Sequence, residues 1–328
     1  SSLGLIIPLT VCCACAIEDI KSRKVKIFFI IFFDFILNTS ILKRYIKSTI
    51  SVLKWVYCHV KNKIMSFSAK IIWITGASSG IGKALALEFS NQNAKIILSS
   101  RKKEDLELVK SACKNPSNVK IVVLDLEQYI NLQSRVDEAL DCFGTIDILV
   151  NNGGISQRSF VKDTHIEVDK RIMDINYLGT VALSKAILPH FIKNKVGHFV
   201  VTTSIVGKIG TPLRSSYAAS KHALHGFFDS LRAEHYQDNI AVTLVCPGFV
   251  NTNVSKNALT GNGTPQQKMD VATANGMDPR YFARLMAKAI KSKKEEVYIA
   301  GAKEKLGIYV KRFYPKLLSA MIRKLSVT

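Results

Sequence analysis

The fold of this chain can be recognised from Lys70-Ile-Ile-Trp-Ile-Thr75, which continues as Gly76-Ala-Ser-Ser-Gly-Ile-Gly82. A short apolar run leads into a glycine-rich turn, and a helical pattern follows over residues 83–89. Glycines allow a tight reversal and a close approach of the backbone to a pyrophosphate, which the N-terminus of the next helix attracts. The stretch therefore predicts a dinucleotide-binding turn, although a glycine-rich turn by itself can be only a turn.

Beyond this turn, apolar strand-like runs alternate with helical patterns. Apolar strands that alternate with helices indicate a parallel sheet with helices on both faces. We therefore expect an α/β fold, a Rossmann-type doubly wound parallel sheet of about seven strands, in one domain over residues 65–300. After the strand at 70–75, the predicted strands cover 94–100, 119–124, 146–150, 198–202, 240–245 and 296–299.

The kind of dinucleotide is indicated by the end of the second predicted strand, Ser99-Ser100-Arg101-Lys102-Lys103, which has no acidic residue before Glu104. An acidic side chain at this place holds the ribose of NAD, whereas an Arg accommodates the 2′-phosphate of NADP. The sequence favours NADP(H) over NAD(H), with a solvated basic turn as the alternative. A nucleoside-triphosphate loop is disfavoured because no Gly-Lys-Ser/Thr ending follows. The predicted contacts here are Gly76, Ser78, Ser79, Gly80, Ile81, Gly82 and Arg101.

A second candidate site is the helical run that begins Tyr217-Ala-Ala-Ser-Lys221. Residues four apart share a helix face, so the phenol and the ammonium can point into one site. A nearby cation lowers the pKa of a tyrosine from about 10, which makes the phenol usable as a general acid or base. A half-buried Tyr beside a solvated Lys would have the same spacing, so the pair gains weight only together with the dinucleotide-binding turn.

The order and joint spacing of seven stretches resemble the short-chain dehydrogenases/reductases. The resemblance extends over residues 70–255, and residues 197–234 are further similar to the 11-beta-hydroxysteroid-dehydrogenase-like members. The chain departs from the family at Gly153, where alanine is usual, and the loss of one methyl group should be tolerable. The matching stretches are Thr75–Gly82, Asp125-Leu126, Asn151-Asn-Gly-Gly154, Asn176, Ser204, Tyr217-x-x-x-Lys221 and Pro247-Gly248.

The resemblance implies an oxidoreductase that transfers a hydride between NADP(H) and a carbonyl or alcohol. Tyr217 would exchange a proton with the reacting oxygen, and Lys221 would lower its pKa and hold the nicotinamide ribose. Ser204 would hydrogen-bond the reacting oxygen, and Asn176 would hold a water that relays protons; alternatively, Ser204 is a turn residue and Asn176 a helix cap. A homo-oligomer, dimer or tetramer, is also implied. Further expected cofactor contacts are Asp125, Leu126, Asn152, Tyr217, Lys221, Pro247, Gly248, Val250 and Thr252.

The substrate side carries no charge pattern that names a substrate. We expect a small carbonyl compound or alcohol of apolar character. The resemblance implies that residues 251–280 close over the substrate as a mobile lid. We expect His222 and His225 to be surface or packing residues, because no third ligand at useful spacing supports a metal site. The expected pocket residues are Ile155, Ser156, Gln157 and Leu213.

The net charge of +21 resides mainly at the two ends. Residues 1–64 hold ten Lys/Arg against three Asp/Glu, and residues 280–328 hold thirteen against three, so the centre is almost balanced. This distribution excludes a nucleic-acid-binding core and favours an anionic membrane surface. We predict residues 1–64 to be either a membrane anchor or a non-native extension, and residues 301–328 to be a basic amphipathic tail. The tail either contacts a membrane, forms a lip over an apolar substrate entrance, or packs on its own domain.

Scattered single thiols at Cys113, Cys142 and Cys246 suit a reducing compartment, so the sequence predicts an intracellular protein. Its location would be cytoplasmic or membrane-associated, of the endoplasmic-reticulum type if residues 1–64 are native. Two rival hypotheses are a non-catalytic dinucleotide-binding protein and a membrane-associated scaffold on the same fold. The complete set of Asn176, Ser204, Tyr217 and Lys221 argues against the first. The second predicts that residues 65–328 alone lose activity, whereas an enzyme would retain it.

Overall fold

The computed structural model describes residues 67–323, which belong to one compact unit. The predicted N-terminal segment, 1–64, lies outside the described residues, as do 324–328. The domain boundaries given above therefore stay predictions.

One sheet runs through the described part of the chain, and all its strands are parallel. Its strands are β1 (Ile71–Thr75), β2 (Lys95–Ser99), β3 (Val119–Ile121), β4 (Ile148–Asn151), β5 (Gly197–Thr202), β6 (Ile240–Pro247) and β7 (Glu296–Ile299). Their order is β3-β2-β1-β4-β5-β6-β7, so the predicted doubly wound sheet of seven strands is confirmed. The order changes direction between β1 and β4. Open α/β sheets bind ligands at this switch point, outside the carboxyl ends of the strands.

Ten α-helices occur within residues 67–323. They are α1 (Gly80–Asn91), α2 (Lys103–Ser111), α3 (Gln133–Asp141), α4 (Ile166–Met173), α5 (Gly179–Asn194), α6 (Ser215–Glu234), α7 (Val271–Ala274), α8 (Pro279–Lys291), α9 (Ala302–Phe313) and α10 (Pro315–Ile322). Helices α1, α2 and α8 cover one face of the sheet, and α3, α5 and α6 cover the other.

Alternate residues of β1 enter two separate cores, because successive strand side chains point to opposite faces. Ile72 and Ile74 pack with Phe89 of α1 and Phe282 of α8. Trp73 packs on the other face, in the core that contains the side chains of α5 and α6. Both faces of the central strand are therefore fully apolar, which explains why the sequence shows a continuous apolar run at 71–74.

The predicted helical region at 160–192 has an irregular centre. A five-residue π-helical turn, Asp174–Leu178, joins α4 to α5. Such a turn holds one residue more than an α-turn, and π-turns often occur at functional sites. Asn176 lies in the middle of this turn and is fully buried.

The C-terminal helices α9 and α10 pack on the carboxyl end of the sheet. Ile308 and Leu318 belong to a small apolar cluster with Ile205, Ile209 and Cys246. Within the described residues, no helix is both long and apolar enough to span a bilayer.

Candidate active site

The glycine-rich turn follows β1 and is held very close to the loop after β4. Gly76 has φ of +63°, which favours glycine, and a Cβ built there would lie 2.8 Å from the Gly153 Cα. A Cβ on Gly82 would lie 2.2 Å from the Gly76 carbonyl oxygen. These two glycines are therefore required by backbone packing, which no side-chain movement can relieve.

The N-terminus of α1 opens directly after this turn. The N-cap residue, Ser79, makes no side-chain capping hydrogen bond. The first N–H groups of an α-helix lack intrahelical acceptors and attract anions. A backbone cradle beside the start of a helix is suited to a pyrophosphate group.

Thr75 and Asn152 tie together the strand ends at the switch point. The Thr75 hydroxyl accepts hydrogen bonds from the backbone N–H groups of Asn152 and Gly153, both at 3.0 Å. The Asn152 amide donates to the carbonyl oxygens of Thr75 and Gly76, and Thr202 at the end of β5 donates to its oxygen. Asn152 thus fixes the turn in addition to facing the cleft.

A cleft of about 720 Å³ runs along this carboxyl edge of the sheet. It brings together most of the residues predicted to bind the cofactor. Gly82 and Asn176 do not line it, because they lie behind its wall. The predicted residues that line it are Gly76, Ser78, Ser79, Gly80, Ile81, Arg101, Asp125, Leu126, Asn152, Ser204, Tyr217, Lys221, Pro247, Gly248, Val250 and Thr252.

Tyr217, in the first turn of α6, lines the cleft beside Ser204. Burial raises the pKa of the Tyr217 phenol, while a hydrogen bond with the Ser204 side chain and the charges of Arg214 and Arg158 oppose this increase. The direction is opposite to the lowered pKa expected from the Tyr-Lys spacing. Desolvation, which depends on the folded surroundings, outweighs the neighbouring charges.

Lys221 is buried one turn further along α6. Its ammonium donates a 2.8 Å hydrogen bond to the Thr202 carbonyl oxygen and lies 5.8 Å from the centre of the Tyr217 ring. Burial lowers its pKa to about 8. The predicted proximity of phenol and ammonium is present, with the ammonium held by the end of β5.

Asn176 holds the loop after β4 against α6. Its amide oxygen accepts from the Ile155 backbone N–H at 2.8 Å, and its amide nitrogen donates to the Ile155 carbonyl at 2.9 Å and the Ser220 hydroxyl at 3.0 Å. A Cβ on Gly154 would lie 2.9 Å from the Asn176 oxygen and 3.6 Å from the Lys221 nitrogen. Asn176 and Lys221 are therefore neighbours across Gly154.

The four expected substrate-pocket residues separate into two groups. Ile155 and Ser156 line the cleft, whereas Gln157 is fully buried and Leu213 is not part of the lining. The Gln157 side-chain oxygen accepts from the backbone N–H groups of Ser216, at 2.9 Å, and Tyr217, at 3.4 Å. Gln157 thus acts as a side-chain acceptor for the N-terminus of α6 and orients the turn that carries Tyr217.

A buried charge cluster, which the sequence analysis missed, anchors the segment expected to be a lid. Asp270 accepts a 2.8 Å hydrogen bond from Arg158 and lies 3.5 Å from Arg214. Burial alone would raise the pKa of Asp270, but hydrogen bonds from Arg158 and Gln266 lower it. From the same segment, Asn253, Val254, Asn257, Leu259, Gly263 and Pro265 line the cleft. The segment that carries this ionic anchor therefore forms part of the cleft wall.

A second unpredicted contact links α9 to the loop after β6. The Glu304 carboxylate accepts from the backbone N–H of Phe249 at 2.9 Å and from that of Gly301. A Cβ on Gly248 would lie 2.4 Å and 2.7 Å from the two carboxylate oxygens. Glu304, which does not itself line the cleft, thus supports a loop that does.

The two histidines after Lys221 differ in their surroundings. His225 is buried, with its Nε2 atom 3.8 Å from the Cys246 sulfur and its Nδ1 atom 3.6 Å from Glu296. His222 is exposed, and one ring nitrogen lies 2.8 Å from the Ala218 carbonyl oxygen. Over residues 67–323, no group of three His, Cys, Asp or Glu side chains is placed to hold a metal ion.

The family model described as short chain dehydrogenase matches residues 70–263, which contain the turn, Asn176, Ser204 and the Tyr217–Lys221 pair. The chain belongs to the short-chain dehydrogenase family. The resemblance predicted from the sequence is thereby confirmed. As a member of this family, the chain is an oxidoreductase that binds a nicotinamide dinucleotide and acts on a small molecule.

Curated relatives of this short-chain dehydrogenase match most of its length. It is 43% identical over 263 residues to a Dehydrogenase/reductase SDR family protein 7-like of Anopheles gambiae, covering 78% of this chain and 83% of that protein. It is 38% identical over 309 residues to Dehydrogenase/reductase SDR family member 7B of Bos taurus, covering 89% and 93%.

Solved structures support the fold of this short-chain dehydrogenase. A short chain dehydrogenase/reductase from Burkholderia phymatum in complex with NAD superposes with a TM-score of 0.68 at 22% identity, covering 77% of this chain and 96% of that one. A short-chain dehydrogenase from Streptomyces avermitilis gives a TM-score of 0.65 at 23% identity, with the same coverage. At this identity the likeness concerns the fold alone.

Proposed function

We propose that this short-chain dehydrogenase is an NADP(H)-dependent enzyme that interconverts a carbonyl compound and an alcohol, with Tyr217 as the general acid/base. The observation that carries the proposal is the position of Ser204, Tyr217 and Lys221 in the same cleft as the glycine-rich turn. A dinucleotide that starts at the turn would have its reactive end beside the phenol. The substrate that we propose is apolar and small.

The residues present fit a dinucleotide. The backbone cradle at Gly76 would be filled by a Cβ, and the start of α1 suits a pyrophosphate. Asp125 and Leu126 would contact the adenine end, and the loop at 247–252 would contact the nicotinamide end. When bound, the nicotinamide supplies or accepts the hydride, and the protein supplies position and electrostatics.

The preference for NADP(H) rests on the end of β2. Arg101 and Lys102 are exposed and line the cleft, and both could approach a 2′-phosphate. Among the residues directly after β2, Asp105 is the acidic side chain that lines the cleft and would favour a ribose hydroxyl instead. With two cations against one anion, the local charge favours the phosphorylated cofactor.

In the proposed reduction, the Tyr217 hydroxyl donates its proton to the substrate oxygen as that oxygen gains negative charge. Ser204 hydrogen-bonds the same oxygen and places it within reach of the phenol. The raised pKa keeps Tyr217 protonated at neutral pH, as an acid must be before it donates. Lys221, Arg158 and Arg214 then stabilise the phenolate that remains.

Asn176 has a positioning role in this scheme. Its hydrogen bonds to Ile155 and Ser220 fix the loop after β4 relative to α6. Through Gly154, this loop bounds the space beside the Lys221 ammonium. A proton relay from Lys221 through a water held near Asn176 remains part of the proposal.

The experiment that tests the proposal is NADPH oxidation by the full chain against a panel of apolar ketones and aldehydes. Tyr217→Phe should lower turnover by about 10²–10⁴-fold, while NADPH binding, followed by fluorescence, stays within a few-fold of wild type. Tyr236→Phe, at a tyrosine that is 82% exposed, is the matched control and should be fully active. Equal turnover by Tyr217→Phe and wild type would refute the assigned role.

Cofactor preference has its own test. Arg101→Ala should weaken NADPH binding while leaving NADH binding almost unchanged, because only the former has the 2′-phosphate. Lys103→Ala removes an adjacent exposed cation that does not line the cleft and is the control. Equal losses for both cofactors would contradict the assignment to NADP(H).

The non-catalytic alternative predicts NADPH binding without Tyr217-dependent turnover of any carbonyl compound.

We also propose an intracellular location with peripheral membrane contact, and a homo-oligomer. Sedimentation velocity would test the oligomer, and a monomer at micromolar concentration would contradict it.

A further inference from the structure

The C-terminal helices present a large apolar surface to solvent. Its six side chains are each between 45% and 70% exposed. They are Leu306, Tyr309, Phe313, Tyr314, Leu317 and Met321, which we call the C-terminal face. Large side chains that are exposed together mark an interaction site, whereas single ones are ordinary.

Contacts on the opposite side of α9 fix the orientation of this helix and keep its apolar side chains exposed. Leu306, Tyr309 and Phe313 are spaced three and four residues apart and lie on one side of the helix. The opposite side packs inward: Glu304 bonds to the Phe249 N–H, and the Lys311 ammonium donates to the Lys208 carbonyl oxygen. Since both inward contacts are specific, α9 cannot turn its apolar side toward the protein without breaking them.

The C-terminal face is surrounded by positive charge. Residues 302–323 hold six Lys/Arg and one acidic residue, Glu304, whose carboxylate points inward. Lys311 bonds inward to Lys208, and the other five cations are Lys303, Lys305, Arg312, Lys316 and Arg323. A complementary surface must therefore be anionic as well as able to receive apolar groups.

Charge discriminates among the candidate occupants. A second copy of the same face would bring two positive surfaces together. Residues 1–64 carry ten Lys/Arg against three Asp/Glu, so they repel the face as well. Aromatic side chains flanked by long cationic ones suit a lipid headgroup region, where rings sit at the interface and Lys and Arg extend to phosphates.

We propose that the C-terminal face docks this protein on an anionic lipid bilayer, with α9 and α10 lying along the membrane surface. This inference gives the proposed membrane contact a defined surface and lipid class, and it is independent of the catalytic assignment. Because Glu304 on the inward side of α9 holds the Gly248–Phe249 loop, the docked surface and the cleft are linked by one carboxylate.

The test is partitioning of the full chain onto vesicles of equal parts phosphatidylserine and phosphatidylcholine, with pure phosphatidylcholine for comparison. Each basic side chain near an anionic surface strengthens partitioning by about fivefold, so Lys305→Glu/Arg312→Glu/Lys316→Glu should weaken it by at least about 100-fold. Lys114→Glu/Lys120→Glu/Lys193→Glu changes the net charge equally at exposed sites elsewhere and should have a much smaller effect. Equal losses in the two triple variants would overturn the proposal.

A second measurement locates the face directly. Phe313→Trp should gain tryptophan emission that brominated lipids quench, and Tyr236→Trp should gain emission that they do not quench. The two native tryptophans are common background. Unquenched emission at position 313 would overturn the proposal.

The remaining alternative is self-association. Leu306→Ser/Phe313→Ser/Leu317→Ser should keep the wild-type melting temperature, because these side chains are exposed, and should lose vesicle binding. If this variant changes the oligomeric state and partitions onto vesicles as wild type does, the face is a contact between copies and the proposal is wrong.

Discussion

Gly248→Ala should impair the enzyme through its contact with Glu304. The new Cβ would lie 2.4 Å from one carboxylate oxygen of Glu304 and 2.8 Å from the Ala300 Cβ. An ordinary contact needs about 1 Å more than the shorter distance. The Glu304 carboxylate is held by the N–H groups of Phe249 and Gly301, and the Ala300 Cβ belongs to the rigid backbone, so the loop after β6 must shift by up to about that amount. Since a 1 Å misplacement of a positioning element costs about 10²-fold in rate, we expect a loss of this size in kcat/KM.

Glu304→Ala supplies the matching arm of a double-mutant cycle. By itself it leaves the partly buried Phe249 N–H without its acceptor, at a cost of about 1–3 kcal/mol in stability. In the double variant, the carboxylate that opposes the new methyl group is gone, so Gly248→Ala should cost less than it does in wild type. A coupling free energy of about 0.5–3 kcal/mol is expected for groups in contact.

The assays are steady-state NADPH oxidation, NADPH titration by fluorescence and thermal unfolding. The rate effect should appear in kcat/KM and cofactor affinity together, because the moved loop lines the proposed nicotinamide end. Additive effects in the cycle, or a Gly248→Ala enzyme as active as wild type, would refute the role assigned to Glu304.

Three further outcomes are expected. Burial lowers the pKa of Lys221 to about 8, so between pH 8 and 10.5 the unfolded chain binds more protons than the folded one. As the pH rises through this window, the free energy of unfolding of wild type should increase by up to about 3 kcal/mol relative to that of Lys221→Met, measured by urea unfolding. A difference that stays constant with pH would contradict this. Asp270→Asn leaves two buried guanidinium groups without their carboxylate, so the free energy of unfolding should fall by about 3 kcal/mol and residues 251–278 should become sensitive to proteases. The control, Asp229→Asn, alters a half-exposed ion pair and should lower the free energy of unfolding by less than about 1 kcal/mol. Gly153→Ala should be tolerated in activity and melting temperature, because the new methyl group meets only the end of the flexible Leu126 side chain; a loss as large as that of Gly248→Ala would be contrary to this view.

The sequence predicted the sheet well because each β-strand is an apolar run that can be recognised locally. It also placed most of the cleft residues, since the loops at the carboxyl ends of parallel strands meet at one edge. The contacts between Arg158 and Asp270 and between Phe249 and Glu304 join residues 112 and 55 positions apart, and no periodic pattern signals such pairs.

The remaining predictions from the sequence failed where a side chain's properties depend on how deeply the fold buries it. The Tyr-Lys spacing correctly placed two side chains on one helix face, but the raised pKa of Tyr217 depends on desolvation by the folded surroundings. Gln157 was expected in the pocket together with Ile155 and Ser156. It turns inward because the N-terminus of α6 offers backbone N–H donors that lack intrahelical partners.

The π-turn at Asp174–Leu178 is needed to place Asn176 but not to pack α4 and α5 on the sheet. Removing one residue from this turn would let the chain continue as a regular α-helix from α4 into α5, so both helices could keep their apolar faces on the sheet. The same deletion would withdraw the Asn176 amide from Ile155 and Ser220. The deletion of a single codon could therefore remove the Asn176 contacts that support the cleft while the protein still folds. Such a deletion would be a short evolutionary route from an enzyme to a binding protein.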